Sequence, residues 1–251
     1  MSRPQPTVLL TLGRLPKALE LARCLHNAGC RVVVADPFRW HLCRPSRAIA
    51  ACYRVTAPNT DRSRYLSELR DIVRREDVQL VLPVSEEALH VSALIDTLPA
   101  HVHVLCAPFE QLLQLHDKQA FADLASGMGL TVPPTFAEQS AEAAELMASS
   151  DYVAKPIHSC SGIGVEICVN GRRHQPGSSG MLVQKHVAGD HVSSLSLLDR
   201  GREVATVVYR GTVFAGTVAI CFERVIHSRT VGATSTRSKQ IATVPANTVP
   251  R

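Results

Sequence analysis

Two strand-like segments carry the residues best suited to chemistry. In DYVAKPIHSCSGIGVEICV, Lys155 ends an apolar run and is followed at once by a loop of small residues, 159–164. In MLVQKHVAGDHVSSLSLL, Gln184 and Lys185 end another apolar run, and Gly189 follows. A lysine beside a flexible loop with open backbone N–H groups is suited to binding phosphates. The main chain of the second segment offers donors and acceptors that suit an adenine ring, so the two segments together predict a nucleotide site.

The composition limits the classes of partner. The chain has 251 residues, of which 45% are hydrophobic, and a net charge of +5. This length is enough for two domains. The basic residues are scattered and aromatic residues make up only 4%, so nucleic acid is not expected as a partner. A modest basic excess suits the binding of small anionic molecules.

The cysteines and the apolar stretches indicate the compartment. Eight cysteines are present and none forms a C-x-x-C pair, which favours free thiols in a reducing compartment over a disulfide framework or a zinc site. The apolar run near the N-terminus is too short for a signal peptide, and no stretch approaches the ~20 residues of a membrane span. We therefore expect a cytoplasmic protein without a membrane partner, and the sequence leaves open whether copies form a homo-oligomer.

The order of the predicted elements indicates the fold class. A buried strand over 8–12, a helix over 17–28 and a strand over 31–35 form a βαβ unit, which predicts a parallel sheet within residues 7–115. Consecutive strands over 150–222 predict a mostly antiparallel sheet. The predicted fold class is an α/β parallel-sheet domain followed by an α+β, mostly antiparallel domain.

Polar residues mark the predicted starts of several helices. Asp61 is predicted to cap one helix, and an Ala/Glu-rich helix covers 140–149. Ser85 is predicted to cap another helix, with Glu86 and Glu87 in its first turn, where acidic side chains complement the helix dipole.

Four motifs resemble the ATP-grasp family of ATP-dependent carboxylate–amine ligases. The motifs are VLPVSEEALHVSAL, LHDKQAFADLASGMGLTVPPTF, YVAKPIHSCSGIGV and LVQKHVAGDHVSS, and the resemblance extends from residue 7 to about residue 225. It implies a pre-ATP-grasp-like α/β domain over 1–115 and an ATP-grasp-like nucleotide-binding region over 116–227. The Ser-, Thr-, Arg- and Pro-rich tail, 228–251, is predicted to be largely disordered.

The resemblance implies a set of phosphate-binding residues. Lys118 follows an aspartate in the family's linker helix, and Lys155 precedes a proline, and both positions reach the nucleotide phosphates in the family. Ser161, Gly162 and Gly164 match the mobile loop that closes over the phosphates. Small residues let the backbone approach a ligand closely, and a loop that closes can exclude water.

The resemblance also implies residues that bind the nucleoside. Gln184 occupies the position that contacts the adenine amino group in the family, and Lys185 and His186 lie on the main-chain segment that contacts the adenine edge. Asp190 lies near the acidic residue that holds the ribose hydroxyls. The implied cofactor is ATP, and the implied partners are a small carboxylic acid or an amine.

The family also implies Mg²⁺, bound by an acid on one strand and a Glu-x-Asn pair on the next. No Asp or Glu follows Glu223, so the sequence does not assign the metal ligands and is expected to stop short of that segment. Catalytic residues are likewise unassigned, and it stays open whether the chain is an active ligase or an inactive ATP-binding module.

A dinucleotide-binding oxidoreductase is the remaining alternative. TLGRLPKALELA followed by Asp36 imitates the strand, turn, helix and acidic ribose-binding residue of such proteins. Only Gly13 is present where three glycines are expected, so the G-x-G-x-x-G pattern is absent.

Overall fold

The structure is a computed structural model that describes residues 5–160, 162–175, 180–199, 201–215 and 218–225. The chain divides into two compact units, the first ending at Gln114 and the second beginning at Leu115. None of the helices in the described ranges has the length and apolar character that crossing a bilayer requires.

The first unit contains a five-stranded parallel sheet with the order β3-β2-β1-β4-β5. Its strands are β1 (Thr7–Thr11), β2 (Arg31–Asp36), β3 (Ala51–Arg54), β4 (Leu80–Leu82) and β5 (His103–Val104). Its helices are α1 (Pro16–Asn27), α2 (Arg62–Arg75) and α3 (Ala88–Val91) with a 3-10 turn at Ser92–Leu94, and α4 (Phe109–His116) spans the boundary at Gln114. The predicted parallel sheet is confirmed.

Local sequence explains most of these elements. All five residues of β1 are buried, as a continuous apolar run in a two-sided sheet requires. Pro16 opens α1, and Gly29 follows that helix with a φ of +87°, a conformation that glycine adopts easily. Asp61 caps α2 by accepting a hydrogen bond from the backbone N–H of Arg64 at 2.9 Å.

One predicted helix start is wrong. Ser85 does not cap a helix that carries Glu86 and Glu87 in its first turn, because α3 begins only at Ala88. The carboxylate of Glu87 is buried instead and accepts hydrogen bonds from the Thr11 hydroxyl and from two backbone N–H groups of the preceding turn. Tertiary contacts therefore bind the carboxylate of Glu87, which the local sequence pattern had placed near the helix dipole.

The second unit contains a four-stranded antiparallel sheet and a three-stranded antiparallel sheet, with the orders β6-β9-β7-β8 and β10-β11-β12. The first sheet comprises β6 (Thr135–Ala137), β7 (Tyr152–Pro156), β8 (Glu166–Cys168) and β9 (Met181–Lys185), with helices α5 (Lys118–Gly127) and α6 (Ala141–Ser149). The second comprises β10 (Val192–Asp199), β11 (Arg202–Ala215) and β12 (Val218–Arg224). The predicted antiparallel region is confirmed, although β6 was not predicted.

The two faces of the four-stranded sheet differ in character. One face packs against α6, and its buried residues are Ala143, Leu146, Tyr152, Ala154, Cys168, Met181 and Val183. Because side chains alternate along a strand, Lys155 and Gln184 lie on the opposite face. Ile167 shares that opposite face, since it pairs with Val153 across β7 and β8. This face, which α6 does not cover, carries two residues of the predicted site, Lys155 and Gln184.

Candidate functional site

Lys155 is a buried lysine whose ammonium group contacts a neutral amide. Its side chain lies at the end of β7, the residue is 8% exposed, and Nζ donates to Gln184 Oε1 at 2.9 Å. The amide of Gln184 donates in turn to Thr135 Oγ1 at 2.7 Å, and that hydroxyl donates to the Pro133 carbonyl at 2.9 Å. The pairing of β9 with both β6 and β7 brings these three polar side chains together. A chain of hydrogen bonds thus orients Gln184 towards Lys155.

The environment of Lys155 weakens its hold on a proton. Burial, followed by the nearby positive charge of Lys118, lowers the pKa of Lys155 from its ordinary value to about 8. Desolvation disfavours the charged form of a lysine, and a like charge adds to the effect. A bound anion would stabilise the charged ammonium group and raise this pKa, so the site suits an anionic ligand.

Lys118 reaches the loop that follows β7. It is the first residue of α5. Asp117 caps this helix by accepting hydrogen bonds from the backbone N–H groups of Gln119 and Ala120. Lys118 Nζ donates to the Ser159 carbonyl at 2.9 Å, to Ser159 Oγ at 3.2 Å and to the Ile157 carbonyl at 3.2 Å. Its backbone N–H also donates to the Ile157 carbonyl, at 3.3 Å. The structure therefore brings the two predicted phosphate-binding lysines to one region.

The small-residue loop depends on its glycines. Gly162 and Gly164 have φ values of +71° and +73°. A Cβ on Gly164 would lie 2.8 Å from Pro156 Cγ, so only glycine fits without displacement. Ser161, the third predicted residue of this loop, lies outside the described residues.

The connector after β9 is attached to its neighbours through its backbone. The Lys185 N–H donates to the Pro134 carbonyl at 2.9 Å, and the His186 N–H donates to the Asp151 carbonyl at 3.0 Å. These two donors are engaged within the protein, so an adenine ring would meet the carbonyl groups or later residues of this segment. The side chains of Lys185 and Asp190 are exposed.

A cavity of about 990 Å³ opens beside this connector. Its volume is in the range typical of small-molecule sites. Ile167 places it on the same sheet face as Lys155 and Gln184, although those two side chains do not line it. The other lining residues are Asp151, Val169, Asn170, His186, Ala188, Gly189, Asp190, His191, Arg210, Gly211, Thr212, Phe214 and Glu223. Of the predicted nucleoside-binding residues, His186 and Asp190 thus border a cavity.

The described residues do not supply a set of ligands for Mg²⁺. Within those ranges, no group of three or more His, Cys, Asp or Glu residues could hold a metal ion. Glu223 forms an ion pair with Arg210 across β11 and β12, and Glu203 is exposed. The Mg²⁺ that the family resemblance implies is therefore not matched to residues of this part of the chain.

A buried charged cluster in the second unit was missed by the sequence reasoning. His174 Nε2 lies 2.8 Å from Glu138 Oε1, and Nδ1 lies 3.0 Å from Glu166 Oε2, the latter as an ion-pair contact without good hydrogen-bond alignment. Burial lowers the pKa of His174, but Glu166 and Glu138 raise it more, so the pKa lies above its ordinary value. Glu138 lies 36 residues from His174 in the sequence, and no local pattern could have grouped them.

Asp36 is not placed as a ribose-binding residue. It is fully buried at the end of β2, where its carboxylate accepts hydrogen bonds from the backbone N–H of Arg14 at 3.0 Å and of Phe38 at 2.8 Å. The Arg14 guanidinium also lies 3.5 Å from it. The carboxylate is thus engaged by the protein, which argues against the dinucleotide-binding alternative.

The comparisons with known proteins agree with this fold. A family model described as an ATP-grasp domain matches residues 115–221. The match and the fold together confirm the predicted resemblance to ATP-grasp proteins. A comparison with curated protein sequences found no match.

Several solved structures share the fold at low sequence identity. N5-carboxyaminoimidazole synthetase from Staphylococcus aureus, complexed with ADP, is 16% identical, with a TM-score of 0.62 over 82% of this chain and 55% of that chain. L-amino acid ligase from Bacillus licheniformis is 13% identical, with a TM-score of 0.59 over 83% of this chain and 52% of that chain.

The biotin carboxylase domain of Hydrogenobacter thermophilus 2-oxoglutarate carboxylase, in complex with MgADP and bicarbonate, is 14% identical, with a TM-score of 0.52 over 74% of this chain and 45% of that chain. The present chain therefore spans about half the length of these proteins. They show its fold, and they give no support to an oxidoreductase.

Proposed function

We propose that this chain binds ATP on the sheet face opposite α6 and is related to ligases that activate a carboxylate for attack by an amine. The observation that carries the proposal is that Lys155, at the end of β7, lies close enough to Lys118 for their charges to interact, while Lys118 bonds to the start of the loop that contains the glycines. Two ammonium groups and a loop with glycines at positive φ are suited to a polyphosphate.

The proposed phosphate site uses the two lysines differently. Lys155 is buried and lacks an opposite charge within the described residues, so a phosphate group would supply its counter-charge. Lys118 holds two carbonyl groups at the start of the loop, and it could exchange them for phosphate oxygens as the loop closes. Gly162, Gly164 and Ser161 complete the proposed loop.

The proposed nucleoside site lies along the connector. The hydrogen bond from Gln184 to Thr135 fixes the orientation of the Gln184 amide, which is proposed to contact the adenine amino group. Lys185 and His186 contribute main-chain groups, and Asp190 is proposed to hold the ribose hydroxyls. The cavity beside His186 and Asp190 offers the space that a nucleoside requires.

The reaction of such a ligase has two steps. A carboxylate oxygen attacks the γ-phosphorus of ATP, forming an acyl phosphate and releasing ADP, and the amine then attacks the acyl carbon and releases phosphate. This chain's residues would bind and orient the nucleotide and neutralise its charge. Mg²⁺, when bound, neutralises charge between the β- and γ-phosphates, and we assign no residue to it.

The associated inferences follow from the same proposal. We infer domains at 1–115 and 116–227, a cytoplasmic location, and a small carboxylic acid or amine as the second partner. A binding module without ligase activity is the second candidate, because the described residues contain no cluster suited to a metal. Phosphate release from ATP with a panel of acids and amines separates the two candidates.

Calorimetric titration with ATP tests the proposal directly. Lys155→Met and Lys118→Met each remove a charge-assisted contact, so ATP binding should weaken by about tenfold to hundredfold, equivalent to ~1.5–3 kcal/mol. Lys17→Met, at an exposed lysine of α1, is the control and should bind ATP like the parent.

Titrations with and without Mg²⁺ and in competition with NAD complete this test. The proposal predicts that ATP binds more tightly than NAD. Unchanged ATP affinity in both lysine variants would show that the site is misplaced, and tighter binding of NAD would favour the oxidoreductase alternative.

A further inference from the structure

The loop after β2 in the first unit holds two aromatic rings in solvent. Phe38 is 58% exposed and Trp40 is 74% exposed, and Trp40 is the only tryptophan of the chain. Large aromatic side chains stabilise a protein mainly when they are buried. At these exposures the two rings contribute little to the stability of the fold, and their surfaces are open to contact with a ligand.

Arginine side chains stack on both rings. The Arg14 guanidinium lies 4.9 Å from the centroid of the Phe38 ring, and those of Arg39 and Arg44 lie 5.5 Å and 5.1 Å from Trp40. Arg44 also donates to the Arg39 carbonyl at 3.3 Å. These contacts hold guanidinium groups against the rings. We call the five residues, which lie in the loops after β1 and β2, the Arg–Trp surface.

The loop keeps its shape without help from the exposed rings. Cys43 is fully buried in the core beside β1 and β2, and its N–H donates to the Gly13 carbonyl at 3.0 Å. A Cβ on Gly13 would lie 2.4 Å from Val34 Cγ1 and 2.6 Å from His41 Nδ1, so the two loops approach as closely as glycine allows. The Arg–Trp surface is therefore preorganised by buried residues beneath it.

The surroundings of this loop are strongly basic. Between Asp36 and Asp61 the sequence contains no acidic residue and four arginines, at positions 39, 44, 47 and 54. Asp36 itself is fully buried and engaged with Arg14. The exposed charge of the loop is therefore positive, with no acidic side chain of its own to neutralise it.

The position of the surface in the fold also points to a ligand. Arg14 follows β1 and Phe38 follows β2, so the surface stands at the carboxyl ends of two parallel strands. In open parallel α/β sheets, ligands bind at this edge.

We propose that the Arg–Trp surface binds a small molecule that combines a planar ring with a carboxylate or phosphate group. The guanidinium groups of Arg39 and Arg44 would contact the anionic group, because arginine presents several donors in a plane that matches carboxylate and phosphate oxygens. The exposed ring surfaces of Trp40 and Phe38 would stack against the planar ring. That this molecule is the acid used by the ligase rests on the function proposed above, whereas its binding does not.

Fluorescence of Trp40 offers a direct test, because no other tryptophan contributes to the signal. The full chain would be titrated at low salt with nicotinate as the carboxylate probe and with uridine 5′-monophosphate as the phosphate probe. We expect a saturable change with at least one of them, and the tighter probe identifies the anionic group. Acetate and inorganic phosphate, which lack a ring, should bind about tenfold more weakly than the ring compound with the same anionic group.

Variants locate the site. The double variant Arg39→Gln/Arg44→Gln should weaken binding of the tighter probe by about tenfold or more, since it removes the donors to the anion. Arg47→Gln, an exposed arginine of the same loop without a ring contact in the structure, should stay within about twofold of the parent. Thermal unfolding of each variant checks that the fold is retained.

Three outcomes would overturn the proposal: no saturable change with either ring probe, equal losses in Arg47→Gln and the double variant, or ring-free anions that bind as tightly as their ring-bearing counterparts. The Lys155→Met variant separates this site from the nucleotide site. It should lose ATP affinity and keep the affinity for the ring probe, so failure of the ATP proposal would leave this result intact.

Discussion

The first unit buries two carboxylates, whereas the second buries an ammonium group besides a carboxylate–imidazole pair, Glu138 and His174, and these charges are not compensated alike. Asp36 is fully buried and accepts hydrogen bonds from two backbone N–H groups, and one oxygen of Glu87 accepts from two backbone N–H groups and a hydroxyl. Lys155 is nearly as buried, but it donates to the neutral amide of Gln184 and its pKa falls to about 8.

The difference indicates which buried charges serve the fold. A carboxylate bonded to several backbone donors satisfies groups that would otherwise be unpaired, and such a group is structural. A buried lysine without a counter-charge is costly to the fold and is retained more readily when a ligand supplies the missing charge. The contrast therefore supports a structural role for Asp36 and for the bonded Oε1 of Glu87, whose Oε2 is buried without a partner, and it supports the proposed binding role of Lys155.

The largest expected effect is on the structural side of this contrast. Glu87→Ala leaves the Thr11 hydroxyl and two backbone N–H groups without their acceptor, so we expect a loss of about 3 kcal/mol in the free energy of unfolding. Urea denaturation measures it. Glu145→Ala, at an exposed position of α6, should change the free energy by less than about 0.5 kcal/mol. Similar losses in the free energy of unfolding for the two variants would contradict the structural role of Glu87.

A second prediction concerns His174, a buried side chain whose positive charge is paired with the carboxylates of Glu138 and Glu166. His174→Gln removes the ion pairs with Glu138 and Glu166 and should destabilise the protein by about 2 kcal/mol near pH 6. The pKa of His174 is raised in the folded protein, so its stabilisation is complete below the unfolded pKa and is lost as pH rises through the folded pKa. The difference between parent and variant, measured by denaturation between pH 5 and 9, should shrink with rising pH. A difference that grows instead would contradict the assigned charge.

The third prediction is a substitution that stabilises the protein instead of destabilising it. Lys155→Met replaces a desolvated ammonium group with an apolar side chain of similar length, so the free energy of unfolding at pH 7 should rise by about 1 kcal/mol while ATP affinity falls. In the parent, the lowered pKa of Lys155 means that stability rises as pH increases from about 8 towards its ordinary value of 10.5, and this rise should be absent in the variant. A variant that is less stable than the parent would show that Lys155 serves the fold.

The smallest expected effect is the uptake of protons on ligand binding. With a pKa of about 8, Lys155 is half protonated at pH 8, and a bound phosphate raises that pKa. ATP binding at pH 8 should therefore take up about half a proton, measured by calorimetry in buffers of different ionisation enthalpy. The uptake should be smaller at pH 7 and absent in Lys155→Met. Equal uptake by parent and variant would place the titrating group elsewhere.

The sequence alone was sufficient for the elements whose burial pattern is local. The apolar runs of β1 and β2 predicted buried parallel strands, and Asp61 predicted the cap of α2. Hydropathy repeats along one strand or helix record which face is covered, and this information is present in adjacent residues. The motifs around Lys118 and Lys155 likewise predicted the ATP-grasp resemblance that the family model confirms.

Contacts between distant segments were decided by the tertiary structure. Glu87 was assigned to a helix start from its local pattern, but the pairing of β1 with β4 brings it to Thr11. Glu138 and His174 meet across 36 residues, and Lys155 meets Gln184 across 29. These partners are determined by strand register and packing. Neither of them is encoded in a local repeat of residue types along the sequence. The compensation of each buried charge, on which the functional argument rests, could therefore be read only from the folded chain.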